Sequence, residues 1–392
     1  EVVGGQGVGD FELARVEGCP LTGSMRVLVA PDKFKGSLTA AEAARAMVRG
    51  VRRAWPGARV ESVPLSDGGE GFLEAMASGL TGRMVRVEGV RNAVGRPGRA
   101  RFFWEASKRT AYVALAEIAG KEGLAEGERD PWRTTTFGVG QVMVAAEEFG
   151  ARRIVVGLGG SATNDGGTGL ARALGYRFLD GDGRELEEGG GALSRLARVV
   201  PPKRFVLPEV VAAVDVVNGL CGPKGASRLF GPQKGATVEM ARELDKALGR
   251  LATVWHPRLA KVPGAGAAGG TGFGLMAFAG ARVCPGFEVV ARVVGLERKV
   301  RGSDLVLTGE GALDGQTELG KGPERLREMA ERAGVGVIAF AGRVASERFP
   351  AAFALAPGPS SVEEGMVRAG GWLELVVCRA VTVYRMGWER GR

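Results

Sequence analysis

RRIVVGLGGSATNDGGTG, residues 152–169, changes character halfway along. Ile154, Val155 and Val156 are β-branched with no polar residue between them, the composition of a buried strand. The strand runs straight into Gly157, Gly159 and Gly160, which let a backbone turn tightly and approach a ligand because no Cβ intervenes. Ser161, Thr163, Asn164 and Asp165 then place four oxygen-bearing side chains within five residues, and LARALG (170–175) continues as a helix-like run. A strand, a Gly/Ser/Thr loop and a helix make a cradle for phosphate, because free backbone N–H groups and a helix N-terminus both favour an anion. The alternative is an ordinary βα turn in a glycine-rich chain. Hydroxyl and amide groups beside an aspartate favour the site.

Outward from this stretch, the N-terminal part reads as βαβα. RVLVA (26–30) is a buried strand, AAEAARAMVRGVRRAW (40–55) a helix capped by Ser37 or Thr39, and VESVPL (60–65) a second strand with a helix after it. Such alternation opens a parallel, doubly wound sheet. MVRVEGV (84–90), RARFFWEA (99–106) and TAYVALAE (110–117) are instead short alternating strands, which predicts antiparallel pairing and a second domain. GYRFLD and GDGREL (175–186) read as a hairpin around Asp180 to Gly183. The βα texture returns after Gly286, with GVIAFAG (336–342) and FALAP (353–357) as strands and one or two terminal helices. The expected architecture is α/β: a Rossmann-like, doubly wound parallel sheet from 25–80 plus 285–392, an inserted second α/β domain with a mixed sheet over 81–284, and a cleft between them. Residues 1–24 read as a disordered or non-native leader.

Composition narrows the classes. With 392 residues, 45% hydrophobic and 25% charged, the chain has room for two domains and is not disordered. Its 65 glycines follow no G-X-Y period, which excludes collagen. The net charge of +9 is dispersed, without a basic run or a basic-aromatic array, so nucleic acid is not the expected partner and some of the excess serves anionic substrates. Four separated cysteines without a CxxC argue against a disulfide framework or a zinc site, and the single histidine, His256, leaves little material for a histidine triad. No apolar stretch reaches membrane-spanning length and the first residues lack a signal-peptide pattern. The expectation is a soluble, reduced, cytoplasmic protein.

Three glycine fingerprints compete. Gly157-x-Gly159-x-x-Ala162, with Asp180 beyond it, resembles a dinucleotide turn, but its helix would be very short. Gly264-x-Gly266-x-x-Gly269 does not follow a strand. Gly315-QTEL-Gly320-Lys321 resembles a P-loop but has Gly322 where a Ser or Thr belongs. The acids say more. Asp32, Asp67, Glu70, Asp165, Asp215, Glu310 and Asp314 all fall in glycine-rich turns after strands. That shared placement points to one cleft holding Mg²⁺ and a general base. Lys35, Lys234 and Lys321 sit in similar loops. Lysine and carboxylate without histidine is the equipment of phosphoryl transfer, where positioning and charge stabilisation carry most of the catalysis.

Eight motifs carry a resemblance: APDKFKGSLTA (30–40), LSDGGEGF (65–72), TTTFGVGQ (134–141), GLGGSATNDGG (157–167), DVVNGLCGPKGAS (215–227), FGPQKGA (230–236), PGAGAAGGTG (263–272) and DLVLTGEGALDGQTELGKGP (304–323). In this order, and over nearly all of the chain from Met25, the sequence resembles the bacterial glycerate kinases of the first type. The resemblance implies ATP-dependent phosphorylation of D-glycerate, commonly at the 2-hydroxyl, with Mg²⁺, and two α/β domains facing each other across a cleft. Gly219 stands where the family usually has proline, Lys33 where serine is frequent, and the segment after Arg343 matches more weakly.

The expected site follows. Gly159, Gly160, Ser161, Thr163 and Asn164, with Lys234 and Lys321, bind the ATP phosphates. Asp32, Lys35, Ser37 and Glu70 bind D-glycerate. Asp67, Asp165 and Lys35 are the catalytic set, with Lys35 pairing the substrate carboxylate and Asp67 reaching its hydroxyl. Asp165, Asp215, Glu310 and Asp314 hold the metal, and Glu310 with Asp314 is the alternative pair for the chemistry. The rival enzyme reading is an NAD(P)-dependent dehydrogenase of a small hydroxy acid using residues 157–162, and a third reading is a non-catalytic binding protein. The oligomeric state stays open, with a homodimer as one option.

Overall fold

The computed structural model describes residues 24–203, 207–314 and 322–390. The expected leader and the P-loop-like stretch with Lys321 therefore lie outside the described residues, apart from Ser24. In chain order the elements are β1 (Arg26–Val29), α1 (Ala40–Ala54), β2 (Arg59–Ser62), α2 (Phe72–Gly79), β3 (Arg83–Arg91), β4 (Pro97–Glu105), β5 (Thr110–Ala114), α3 (Leu115–Ala119), α4 (Phe137–Glu148), β6 (Arg153–Gly157), α5 (Thr168–Ala173), β7 (Arg177–Leu179), β8 (Arg198–Val200), β9 (Glu209–Val214), α6 (Ala226–Phe230), α7 (Val238–Val254), α8 (Ala267–Ala279), β10 (Arg282–Pro285), α9 (Gly286–Val293), α10 (Leu296–Arg301), β11 (Leu305–Leu313), α11 (Gly322–Arg332), β12 (Gly336–Val344), β13 (Ala352–Ala354) and α12 (Val362–Arg390).

Two larger sheets result. One is wholly parallel, in the order β13-β12-β11-β1-β2. The other is mixed, in the order β10-β9-β6-β5-β4-β3, with parallel pairing from β10 to β5 and antiparallel pairing across β5, β4 and β3. The parallel sheet and the mixed sheet expected from the two strand textures are both present. The hairpin around Asp180 is present as a short one: the Gly183 N–H donates to the Asp180 carbonyl, the Asp180 N–H to the Arg184 carbonyl and the Leu186 N–H to the Phe178 carbonyl, about an antiparallel Leu179–Glu185 bridge. On its other side β7 takes β8 as its strand partner, which the sequence did not suggest. The terminal segment is one 29-residue helix.

Alternation along the strands decides the layers, because successive side chains of a strand point to opposite faces. Val27 and Val29 of β1, with Leu305 and Leu307 of β11, pack under α1 and α12, while Leu28 and Val306 face the other way. In the mixed sheet, Ile154 and Val156 of β6 face α4, and Val155 points back with Phe103, Tyr112 and Val211. Between the two sheets lie Phe72, Leu73 and Met76 of α2 and Phe287 and Val290 of α9, in one continuous cluster that draws on both sheets. The fold is thus five layers, with helices outside and between two sheets. Thr39 caps α1: its hydroxyl oxygen accepts from the Glu42 N–H, and Glu42 accepts the Thr39 N–H in return.

Candidate active site

The loops that leave the carboxyl ends of β1, β2, β5, β6 and β9 converge where the two sheets meet. The loop after β2 presses against the end of β6 so closely that a Cβ on Gly159 would lie 2.4 Å from the Cα of Gly69. Gly159 is thus required for loop-to-loop packing, and not only for approach to a ligand. Gly160 turns the chain with φ of 64°. Its carbonyl accepts the Lys121 N–H at 2.9 Å, and Ser161 forms an isolated bridge with Gly120. A cleft of about 230 Å³ opens here, lined by four lysines (Lys33, Lys35, Lys121 and Lys234), by Glu70 and Glu122, and by Gly159, Gly160 and Ser161.

Only the front of the expected phosphate loop faces this cleft. Thr163, Asn164 and Asp165 have no exposed surface. The Thr163 and Ser161 hydroxyls share a 2.8 Å hydrogen bond, and the Thr163 carbonyl accepts from Lys234 Nζ at 2.7 Å. Asn164 Nδ2 donates to the Ser227 hydroxyl. Asp165 is filled by four donors: the Gly167 N–H on Oδ1, and the Thr136 N–H, the Thr136 hydroxyl and the Gly169 N–H on Oδ2. Burial pushes its carboxyl up and these donors pull against the rise. Asp165, expected to hold metal or take part in transfer, thus has both carboxylate oxygens buried against these donors. Asp165 braces the loop. Lys234 is also buried, with 3% of its surface exposed, but it does line the cleft. Desolvation lowers its pKa to about 7, with Asp165 opposing and Lys121 reinforcing the fall.

A group of carboxylates adjoins the cleft at Lys33 and Val216. Asp32 accepts the Lys33 N–H at 2.7 Å, Asp67 the Gly69 N–H at 3.0 Å, and Asp215 the Phe287 N–H at 3.1 Å. Loss of solvation and then the charge of Asp67 raise both Asp32 and Asp215, while the Phe287 and Gly286 N–H groups pull against the rise of Asp215. Glu310, which is buried in β11, adds its charge to Asp32. Lys33 bridges to Glu70 at 2.9 Å. Asp314 pairs with Arg343 at 3.2 Å. Ser37 donates to the Phe34 carbonyl and lines a neighbouring cavity together with Lys35. Among the described residues, no group of three or more His, Cys, Asp or Glu side chains is set to hold a metal ion. The structure therefore brings together Asp32, Asp67, Asp215 and Glu310 in one group, and Lys35, Glu70, Gly159, Gly160, Ser161 and Lys234 in the other. Lys121, Glu122 and Gln233 line the cleft without having been expected there. Lys121 and Glu122 follow the short helix α3 in a Gly-Lys-Glu-Gly turn, so they lack the placement directly after a strand that singled out the acids.

The sequence and the fold have counterparts in proteins of known class. The glycerate kinase family model matches residues 27–385. The chain belongs to the glycerate kinase family. It is 40% identical over 364 residues to a glycerate kinase of Halalkalibacterium halodurans, covering 89% of this chain and 95% of that one. It is 40% identical over 333 residues to the glycerate 2-kinase of Escherichia coli, covering 82% and 86%. A crystal structure of a putative glycerate kinase 2 from Salmonella typhimurium LT2 superposes with a TM-score of 0.78 at 37% identity, covering 94% of this chain and all of that one. Membership of this kinase family makes the chain a phosphotransferase that takes its phosphoryl group from ATP, and it removes support from the dehydrogenase reading. No helix among the described residues is long and apolar enough to cross a membrane.

Proposed function

We propose that the chain transfers the γ-phosphoryl group of ATP to the 2-hydroxyl of D-glycerate. The observation that carries this reading is the convergence of four lysines and the Gly159–Ser161 turn on one cleft with a carboxylate group beside it. Phosphoryl transfer needs charge neutralisation on one side and a proton acceptor on the other. Lys35 and Lys234 neutralise the transferring phosphate, and Lys121 receives the substrate carboxylate. Asp67, which faces both Asp32 and Asp215, accepts the hydroxyl proton as the oxygen–phosphorus bond forms and the bond to ADP breaks.

Asp32, Asp67 and Asp215 crowd their charges here, with Lys33 acting on Asp32 and Asp67, and such hard oxygens suit Mg²⁺, which binds through one or two carboxylates and completes its shell with water and phosphate oxygens. Asp32 and Asp215 are the residues that would hold it. When bound, it neutralises charge on the phosphates. The test is direct: purified protein with ATP, Mg²⁺ and D-glycerate, with ADP followed by a coupled assay and the product by ³¹P NMR. ADP release with 2-phosphoglycerate is expected. No ADP above background would overturn the reading, and 3-phosphoglycerate would overturn its regiochemistry.

We also propose that the chain divides into a discontinuous Rossmann-like domain, 25–80 with 285–392, and an inserted domain, 81–284. Supporting this, β1, β2, β11, β12 and β13 share one sheet, while β3 to β6, β9 and β10 share the other.

A further inference from the structure

The lysine cleft is too small for the work assigned to it. Sites that enclose a drug-sized ligand run to roughly 300–1,000 Å³, and this one measures about 230 Å³. ATP and glycerate together must reach beyond it. Lys35 shows where, because it lines both this cleft and a second cavity of about 390 Å³.

The second cavity lies against β11, β12 and the first turns of α12. Its apolar walls are Phe34, Leu355, Val362, Met366, Ala369 and Trp372. Backbone approaches at Gly311 and Gly342, hydroxyls come from Ser360 and Ser361, and two cations, Lys35 and Arg343, complete it. No acidic side chain among the described residues lines it. Aromatic and thioether walls with a few polar groups suit a flat heteroaromatic ring. Lys35 suits the phosphates that leave it, while Arg343 is held by its ion pair with Asp314.

Topology points to the same place. The chain passes from β1 to β2 on one side, and β11 is later laid on the other side of β1. Between β1 and β11 the strand order reverses, and open α/β sheets bind ligands in the crevice outside the carboxyl ends at that point. Phe34 and Lys35 follow β1, and Gly311 lies near the end of β11.

We propose that this second cavity takes the adenosine part of ATP, with the phosphate chain running past Lys35 into the lysine cleft. The proposal rests on the kinase reading above and adds to it where the nucleoside sits. Gly365 gives a clean probe. It lines the cavity from α12, and a Cβ there would come no nearer than 3.7 Å to any neighbour, the Trp372 ring. Leucine at this position fills the space and also favours helix over glycine. The test is fluorescence titration of wild type and Gly365→Leu with N-methylanthraniloyl-ATP, joined to inhibition of that binding (displacement of the bound fluorescent nucleotide) by inorganic triphosphate and to thermal melting. We expect Gly365→Leu to melt no lower than wild type, to bind the fluorescent nucleotide at least tenfold more weakly, and to keep its triphosphate inhibition constant within twofold. Met366→Trp, from a half-exposed wall position, should act in the same direction. Nucleotide affinity within twofold of wild type in both variants would overturn the proposal, as would equal loss of triphosphate and nucleotide binding. The titration needs no turnover, so it decides the cavity even if D-glycerate is not the acceptor, and a failure of phosphorylation alone counts only against the substrate.

Discussion

Two aspartates that look alike in sequence part company once their partners are known. Asp67 makes one short bond, to the Gly69 N–H, and shares its surroundings with two other carboxylates. Asp67→Asn should lower kcat at least about a hundredfold, the usual scale of lost acid–base catalysis. It should leave Tm unchanged or higher, because it removes repulsion from Asp32 and Asp215. Asp165→Asn should do the reverse. An amide cannot accept from four donors, and its NH₂ must face at least one of them. A loss of about 2–3 kcal/mol, the scale of a buried charged hydrogen bond, is expected in urea unfolding. Lys234 supplies a pH dependence with a definite sign. Its folded pKa of about 7 lies below the ordinary lysine value of 10.5. Between these values the folded chain has released a proton that the unfolded chain still holds, so its contribution to stability rises as pH rises from 7 towards 10.5. Bound phosphate restores the proton. ATP binding near pH 8 should therefore take up a proton and weaken as pH increases, and calorimetry in buffers of different ionisation enthalpy checks this against Lys234→Met, where the uptake should vanish.

At the scale of elements, the cleft exists because loops from two sheets touch backbone to backbone. Gly159→Ala sets a Cβ 2.4 Å from the Gly69 Cα, and no rotamer change relieves a clash with backbone. A cost of about 2–3 kcal/mol is expected, as for overpacking a core. Gly160→Ala places alanine at a φ of 64° and should cost about 1–2 kcal/mol from left-handed strain alone. The difference between the two, measured by urea unfolding, reports which glycine serves packing. The strands themselves were legible, because Ile154 to Val156 and Leu305 to Leu307 are unbroken apolar runs and β3 to β5 alternate. The role of Gly159 was not, since nothing in GLGGSATN says that Gly69 lies against it. For the same reason Asp165 read as a site residue: its partner Thr136 stands 29 positions earlier, in TTTF, and only folding brings them together. Lys121 and Glu122 stand in a glycine-flanked turn, but α3 separates them from β5, so the strand-then-glycine pattern does not point to them. The hairpin at Asp180 was legible from its Asp-Gly-Asp-Gly turn, but the pairing of β7 with β8, farther along the chain, was not.

Over the whole molecule, the two sheets are not independent bodies joined at a cleft. Phe72, with none of its surface exposed, belongs to a helix between them, and its ring meets Tyr112 of the mixed sheet edge to face at 6.4 Å. Leu28 and Val306 of the parallel sheet and Phe103, Val155 and Val211 of the mixed sheet belong to that same cluster. Separating the sheets would expose this apolar face at about 25 cal/mol per Å², so neither sheet can lose its structure without destabilising the other. Calorimetry of the intact chain should therefore give one cooperative transition despite the two sheets. Phe72→Ala should lower it as a whole, by about 3–5 kcal/mol for a large buried aromatic. The inserted segment, 81–284, expressed alone would leave Phe103, Tyr112, Val155 and Val211 without α2 and α9. It should bind a hydrophobic dye and show no sharp melt. Two resolved transitions in the intact chain, or a sharply melting 81–284 fragment, would mean that the shared cluster contributes less than either sheet's own helices, and that the cleft is a hinge between self-sufficient halves.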